Sequence, residues 1–148
     1  MSRSTFSSGR AMVRGRQTER LLAVAGAAGA SLLVWLVATA GFGLELSQPG
    51  FGSQAPQALS LWWVVAIAAI AGLAASGVLT LIERLTRRAP VVWLAVSLVV
   101  LVISLGGPMS GEGIDGGNRL ALAAMHLAAG AVLIPLFYRS AQRRMEVN

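Results

Sequence analysis

Ser60–Ile82, SLWWVVAIAAIAGLAASGVLTLI, decides the fold. Its 23 residues include no Asp, Glu, Lys or Arg. A helix of about 20 residues spans a hydrocarbon core of roughly 30 Å, so this stretch is long and apolar enough to cross a bilayer. Three more runs share the property: Leu21–Gly43, Pro90–Leu105 and Leu120–Tyr138. The third is short, and Ala89 with Gly106–Gly107 extends it. It is also rich in β-branched residues, Val91, Val92, Val96, Val99 and Val100 among them, which favour strands on propensity. In lipid an unpaired strand leaves backbone polar groups unsatisfied, so a helix is expected there too. Pro90 suits the first turn of that helix, where a missing N–H costs nothing.

The prediction is an all-α integral membrane four-helix bundle. Helices are expected over about 21–43, 60–82, 89–107 and 119–138, together making a transmembrane domain over 21–138. Residues 1–20 form an Arg/Ser-rich cytoplasmic tail, expected to be disordered, and 139–148 a second cytoplasmic tail. Composition agrees. Of the 148 residues, 55% are hydrophobic and 12% charged, with a mean hydropathy of +0.70. Soluble domains carry about 25% charged residues. With no cysteine, disulfide frameworks, thiolate metal sites and Cys-pair redox chemistry are excluded.

The net charge is +6, but its placement argues against a nucleic-acid partner. All basic residues are Arg. Arg3, Arg10, Arg14, Arg16 and Arg20 precede the first run; Arg84, Arg87 and Arg88 separate the second and third; Arg139, Arg143 and Arg144 follow the fourth. Only Arg119 lies on the other side. Short loops rich in Arg stay cytoplasmic, which predicts N-in/C-in topology in the plasma (inner) membrane. The first run exceeds the 7–15 residues of a secretory leader's apolar region, so Ala38-Thr39-Ala40 is read as part of a retained helix. Phe42 and Trp62–Trp63 are expected near the outer interface, Trp93 and Phe137–Tyr138 near the inner one.

The outer connections read as an irregular linker, Leu44–Leu59, with Pro49-Gly50 and Pro56, and a Gly-rich turn, Gly106–Arg119, with Glu112 and Asp115. Asn118 is expected to cap the fourth helix. The Gly-rich turn lacks the Lys-Ser/Thr and preceding strand of a phosphate-binding loop. Small residues spaced for close helix contact (Ala23 and Ala27, Gly26 and Ala30, Ala68 with Gly72 and Ser76, Ala123 and Gly130) suit intramolecular packing and dimerisation equally.

His126 is the one ionisable side chain well inside a span. Such residues are costly in lipid and face the bundle interior. Thr39, Ser104, Trp62 and Trp63 lie at similar depth and form with it a candidate intramembrane polar site. The expected role is a neutral histidine hydrogen-bonded across helices, worth about 1 kcal/mol; the alternative is contact with a quinone or lipid headgroup, or proton relay. Haem ligation needs a second axial ligand, and Met125 points about 100° away around the helix. No catalytic residue, metal site or cofactor is predicted. Glu83, followed by Arg84, Arg87 and Arg88, reads as a member of an interfacial ion pair.

Ser104-Leu105-Gly106-Gly107-Pro108, Met125-His126-Leu127 and Val132-Leu133-Ile134-Pro135, with Leu81-Ile82-Glu83-Arg84 before Arg87-Arg88, carry a resemblance. Over about Arg20 to Arg139 the chain resembles an actinobacterial family of small four-helix membrane proteins, the domain of unknown function DUF6069. The resemblance implies four helices and a membrane location, and no activity. The functional expectation is a non-enzymatic accessory or structural membrane component working through helix–helix contacts. Its partners are membrane lipid and a second copy or another membrane protein. The alternative is a small-molecule membrane protein, binding lipid or quinone or acting as a minor transporter, that uses His126.

Overall fold

The computed structural model of the chain describes residues 4–48, 56–110 and 113–146, with side chains from 15 to 145. Pro49-Gly50, Glu112 and Arg3 lie outside the described residues, as do the side chains of Arg10 and Arg14. Four helices dominate: α1 (Ser4–Leu36), α2 (Leu61–Leu85), α3 (Ala89–Ser110) and α4 (Gly116–Glu146). All four contain spans long and apolar enough to cross a membrane. Ser60 caps α2, its side chain accepting from the Trp63 N–H, and Pro90 sits in the first turn of α3 as expected.

Both ends of the chain differ from expectation. The helix of α1 begins at Ser4, inside the segment read as a disordered tail, and α4 runs on to Glu146 through the second tail. Residues 4–20 contain no proline, and Arg, Gln, Met, Ala and Glu are good helix formers. Polarity moves these turns out of the hydrocarbon without ending the helix. At its other end α1 passes into one turn of π-helix, Val37–Gly41. Gly43, at φ 65°, then turns the chain away, a conformation glycine adopts without steric cost.

The expected irregular linker is also more ordered. Strands β1 (Ser47–Gln48) and β2 (Gln57–Ala58) pair antiparallel, Ser47 opposite Ala58 and Gln48 opposite Gln57. The Gly-rich turn is shorter than read, because α3 continues through Gly106, Gly107 and Pro108 to Ser110.

Helices α1 and α4 form the central pair. Helix α2 packs on α1 and α3 on α4, while α2 and α3 touch each other sparingly. Small residues sit at the closest approaches. Ala23 and Ala27 are fully buried. A Cβ on Gly26 would lie 3.3 Å from Val132, and one on Gly130 3.2 Å from Leu101. These contacts lie within the chain.

The core has two parts. One, at the end carrying both termini, gathers Val24, Leu79, Ile82, Trp93, Phe137 and Ala141. The other, at the hairpin end, gathers Ala38, Leu46, Leu59, Val64, Ile114 and Leu122. Trp93 and Phe137 thus lie at the expected end but face inward. They are 4% and 0% exposed, with ring centroids 5.4 Å apart, and the indole N–H donates to the Ile134 carbonyl. A second helix at that face supplies a better apolar surface and an acceptor, so these rings join the core. Trp62 and Phe42 remain outward, 79% and 75% exposed, as interfacial rings do.

Candidate functional site

Four of the five residues of the sequence-derived polar site make hydrogen bonds to partners outside it. His126, half-buried on α4, pairs through Nδ1 with the carbonyl of Leu122 one turn earlier, at 2.7 Å. A carbonyl only accepts, so Nδ1 carries the proton in that bond. Thr39 Oγ1 donates to the Trp35 carbonyl at 2.9 Å, and Ser104 Oγ to the Leu101 carbonyl at 2.7 Å. Trp63 Nε1 donates to Gln48 Oε1 in the hairpin at 2.7 Å, and Trp62 faces outward. Among the described residues no hydrogen bond joins any two of the five. Small polar side chains in a helix readily bond the carbonyl three or four residues back, although Ser31 Oγ of α1 donates across to the Met125 carbonyl of α4 at 3.3 Å.

Polar contacts between helices concentrate at the two ends. At the end carrying the termini, Arg20 of α1 reaches two neighbours. Its Nη2 meets Glu83 Oε1 at 2.6 Å and Nη1 donates to Thr80 Oγ1 at 2.9 Å, both on α2; Nε donates to Ser140 Oγ on α4 at 3.2 Å. Arg144 of α4 takes the other oxygen, Nη1 to Glu83 Oε2 at 3.2 Å. One carboxylate, 5% exposed, therefore ties three helices. Glu83 does form the ion pair expected of it, but with arginines 63 and 61 residues away rather than with Arg84, Arg87 or Arg88 beside it. A cleft of about 520 Å³ opens next to this clamp, between α1 and α2, with Arg16 and Arg84 on its wall and Leu21, Val24 and Leu73 beneath.

At the hairpin end Asn118 does the corresponding work. It is not the cap of α4. Asp115 is, its Oδ1 accepting the Asn118 backbone N–H at 2.7 Å. The Asn118 side chain, on a residue 3% exposed, turns to the hairpin. Nδ2 donates to Ser47 Oγ at 2.8 Å and to the Glu45 carbonyl at 3.4 Å, while Oδ1 accepts the Ser47 N–H at 3.2 Å. The helix starts at Gly116, two residues earlier than the asparagine, so the carboxylate before it takes the cap. Trp35 adds a second tie, Nε1 to the Leu59 carbonyl at 2.9 Å.

Asn118→Ala should leave the hairpin amide of Ser47 and its hydroxyl without partners. The expected loss is about 1–3 kcal/mol, read as faster hydrogen exchange at Ser47 and Leu59 with little change in α2 and α3. Equal protection in the two proteins counts against the tie.

Four apolar spans with polar clamps at both ends make up the architecture. The family's sequence model covers residues 11–143. The chain belongs to this family, described as a family of unknown function (DUF6069). Membership bears out the family resemblance read from the Gly-Gly-Pro, Met-His-Leu and Leu-Ile-Pro segments, while the four-helix architecture rests on the four long apolar helices themselves. No curated protein and no solved structure matches the chain.

Two features of the clamp were hidden in the sequence. Arg20 reads as one of several topology-setting arginines, and Thr80 and Ser140 are unremarkable hydroxyls near helix ends. Their spacing carries no signal, because the partners come from three different helices. Glu83 was the available clue, as an acidic residue at the edge of a span.

Proposed function

We propose that this protein is a non-enzymatic component of the plasma (inner) membrane, with both termini cytoplasmic, that works through the contacts its helices make with lipid and with other membrane helices. The supporting observation is the division of labour on the surface. Arg20, Glu83, Arg144 and Asn118 use their polar groups to hold the helices together. The flanking helices turn apolar side chains outward: Ile67, Ile70 and Leu81 on α2, Val99, Val102 and Ile103 on α3. The partner expected on those faces is lipid, a second copy or another membrane protein. Native mass spectrometry from a mild detergent tests this, with a stoichiometric second chain as the expected result. A monomer whose cellular phenotype is lost on His126→Leu, with the bundle intact, would instead establish the small-molecule reading.

The orientation rests on eleven of twelve arginines falling on one side. Because the chain has no cysteine, single thiols report topology against a clean background. Gln57→Cys should react with a membrane-impermeant maleimide in intact cells, and Gln142→Cys only after lysis. The reverse pattern would invert the protein.

A further inference from the structure

We propose that the cleft between α1 and α2, at the end carrying the termini, binds the phosphate-bearing headgroup of an anionic phospholipid. The inference goes beyond the accessory role proposed above, and the orientation decides only which leaflet supplies the lipid.

Charge is the first argument. The cleft is lined by Arg16, Arg20, Arg84 and Arg144 against one carboxylate, Glu83. Both Glu83 oxygens are already taken, one by Arg20 and one by Arg144. Arg16 and Arg84 have no ion pair or hydrogen bond among the described residues. They come from different helices and border one cavity, so the positive charge left over is concentrated where an anion has room to enter. Guanidinium groups bind phosphate through paired N–H donors in a fixed plane, which suits a phosphodiester better than a simple point charge would.

The apolar floor of the cleft selects a lipid over a free anion. The same cavity is lined by Leu21, Val24 and Leu73, and Leu21 and Leu73 are 58% and 54% exposed on the outside of the bundle. Free phosphate has no use for an apolar floor open to the membrane, whereas a phospholipid presents a phosphate and an acyl chain together. The geometry sets the depth. Helices α1 and α2 close on each other at Val24 and Gly72, where an added Cβ would lie 2.8 Å from the valine. Arg16 is eight residues from Val24, about 12 Å along the helix. That distance covers a headgroup layer and the first acyl carbons.

The test uses the full chain, delipidated in detergent and offered equimolar phosphatidylglycerol and phosphatidylcholine, with bound lipid read by native mass spectrometry. The anionic lipid should be retained about tenfold over the zwitterionic one. The pair Arg16→Gln and Arg84→Gln should bring the ratio close to one. The pair Arg87→Gln and Arg88→Gln removes the same charge from the exposed α2–α3 loop and should leave the ratio unchanged. Thermal unfolding should be alike in all three proteins, because the Arg20–Glu83–Arg144 clamp is intact. Equal loss in both double variants would mean general charge attraction and overturn the site. So would equal retention of the two lipids by the unaltered chain. Displacement of the lipid by millimolar inorganic phosphate would overturn the lipid assignment in favour of a free-anion site. None of these outcomes bears on whether a protein partner co-purifies.

Discussion

Glu83→Ala should lower the stability of the detergent-solubilised bundle by about 3 kcal/mol, the largest loss expected from any single polar substitution. Removing one partner of a buried ion pair leaves an uncompensated charge, which costs about 3–5 kcal/mol in well-buried cases. Here two arginines lose their anion together. Arg20 is 11% exposed at its side chain and has Thr80 and Ser140 to fall back on; Arg144, at 32%, can turn toward water. The lower end of the range therefore applies. Arg20→Ala should follow, and Arg144→Ala should cost least. The exposed pair between Arg143 and Glu19, 62% and 45% exposed, provides the control. Glu19→Gln should change stability by under about 1 kcal/mol. Thermal or denaturant unfolding in one detergent ranks the four variants. A Glu83 variant no less stable than the Glu19 control would mean that helix packing alone holds this end.

Gly72→Leu should separate α1 from α2. A Cβ at that position would lie 2.8 and 2.9 Å from the two γ-carbons of Val24 and 3.2 Å from its β-carbon. Valine is stiff about χ1 in a helix, so the contact is relieved only by moving a backbone. Even Gly72→Ala is expected to cost about 1–3 kcal/mol, as overpacking does, and leucine more. Pairing Gly72→Ala with Val24→Ala should recover most of the loss, since losing the two γ-carbons of the valine removes the obstacle. Gly77, five residues further along α2 with open space around it, should behave oppositely. Gly77→Ala removes helix-interior flexibility and should stabilise by about 0.5–1 kcal/mol. Identical effects at the two glycines would mean that α1 and α2 do not meet at Val24.

The parts of this architecture that were legible in the sequence share one property: each depends on a single segment. The hydropathy of Ser60–Ile82 is a sum over its own side chains, and the bilayer thickness sets the length that such a stretch must reach. Pro90 could be placed in the first turn of a helix because that position is decided within about four residues. Errors gathered where that locality fails. The end of a membrane span and the end of a helix are different boundaries. Hydrocarbon ends at the first arginine, while the backbone ladder continues as long as the residues tolerate it. Hence α1 and α4 run through segments read as tails, and α3 runs past Gly107 through Pro108 to Ser110.

The candidate site shows the same limit more sharply. His126, Thr39, Ser104, Trp62 and Trp63 were grouped by depth, which a helix of constant rise makes readable. Whether side chains at one depth meet depends on how each helix is rotated about its axis and which helix stands beside it. His126, Thr39 and Ser104 bond to their own helices instead.

The sequence by itself determined that four segments belong in lipid and that the arginines gather on one side, because transfer of a side chain between water and hydrocarbon is a local free energy. Only the tertiary structure decided that α1 and α4 form the central pair, that Gly72 seats Val24, and that Glu83 joins Arg20 to Arg144 across three helices. Those choices follow from shape and hydrogen-bond geometry between residues from 48 to 120 positions apart, where no short-range pattern records the neighbour.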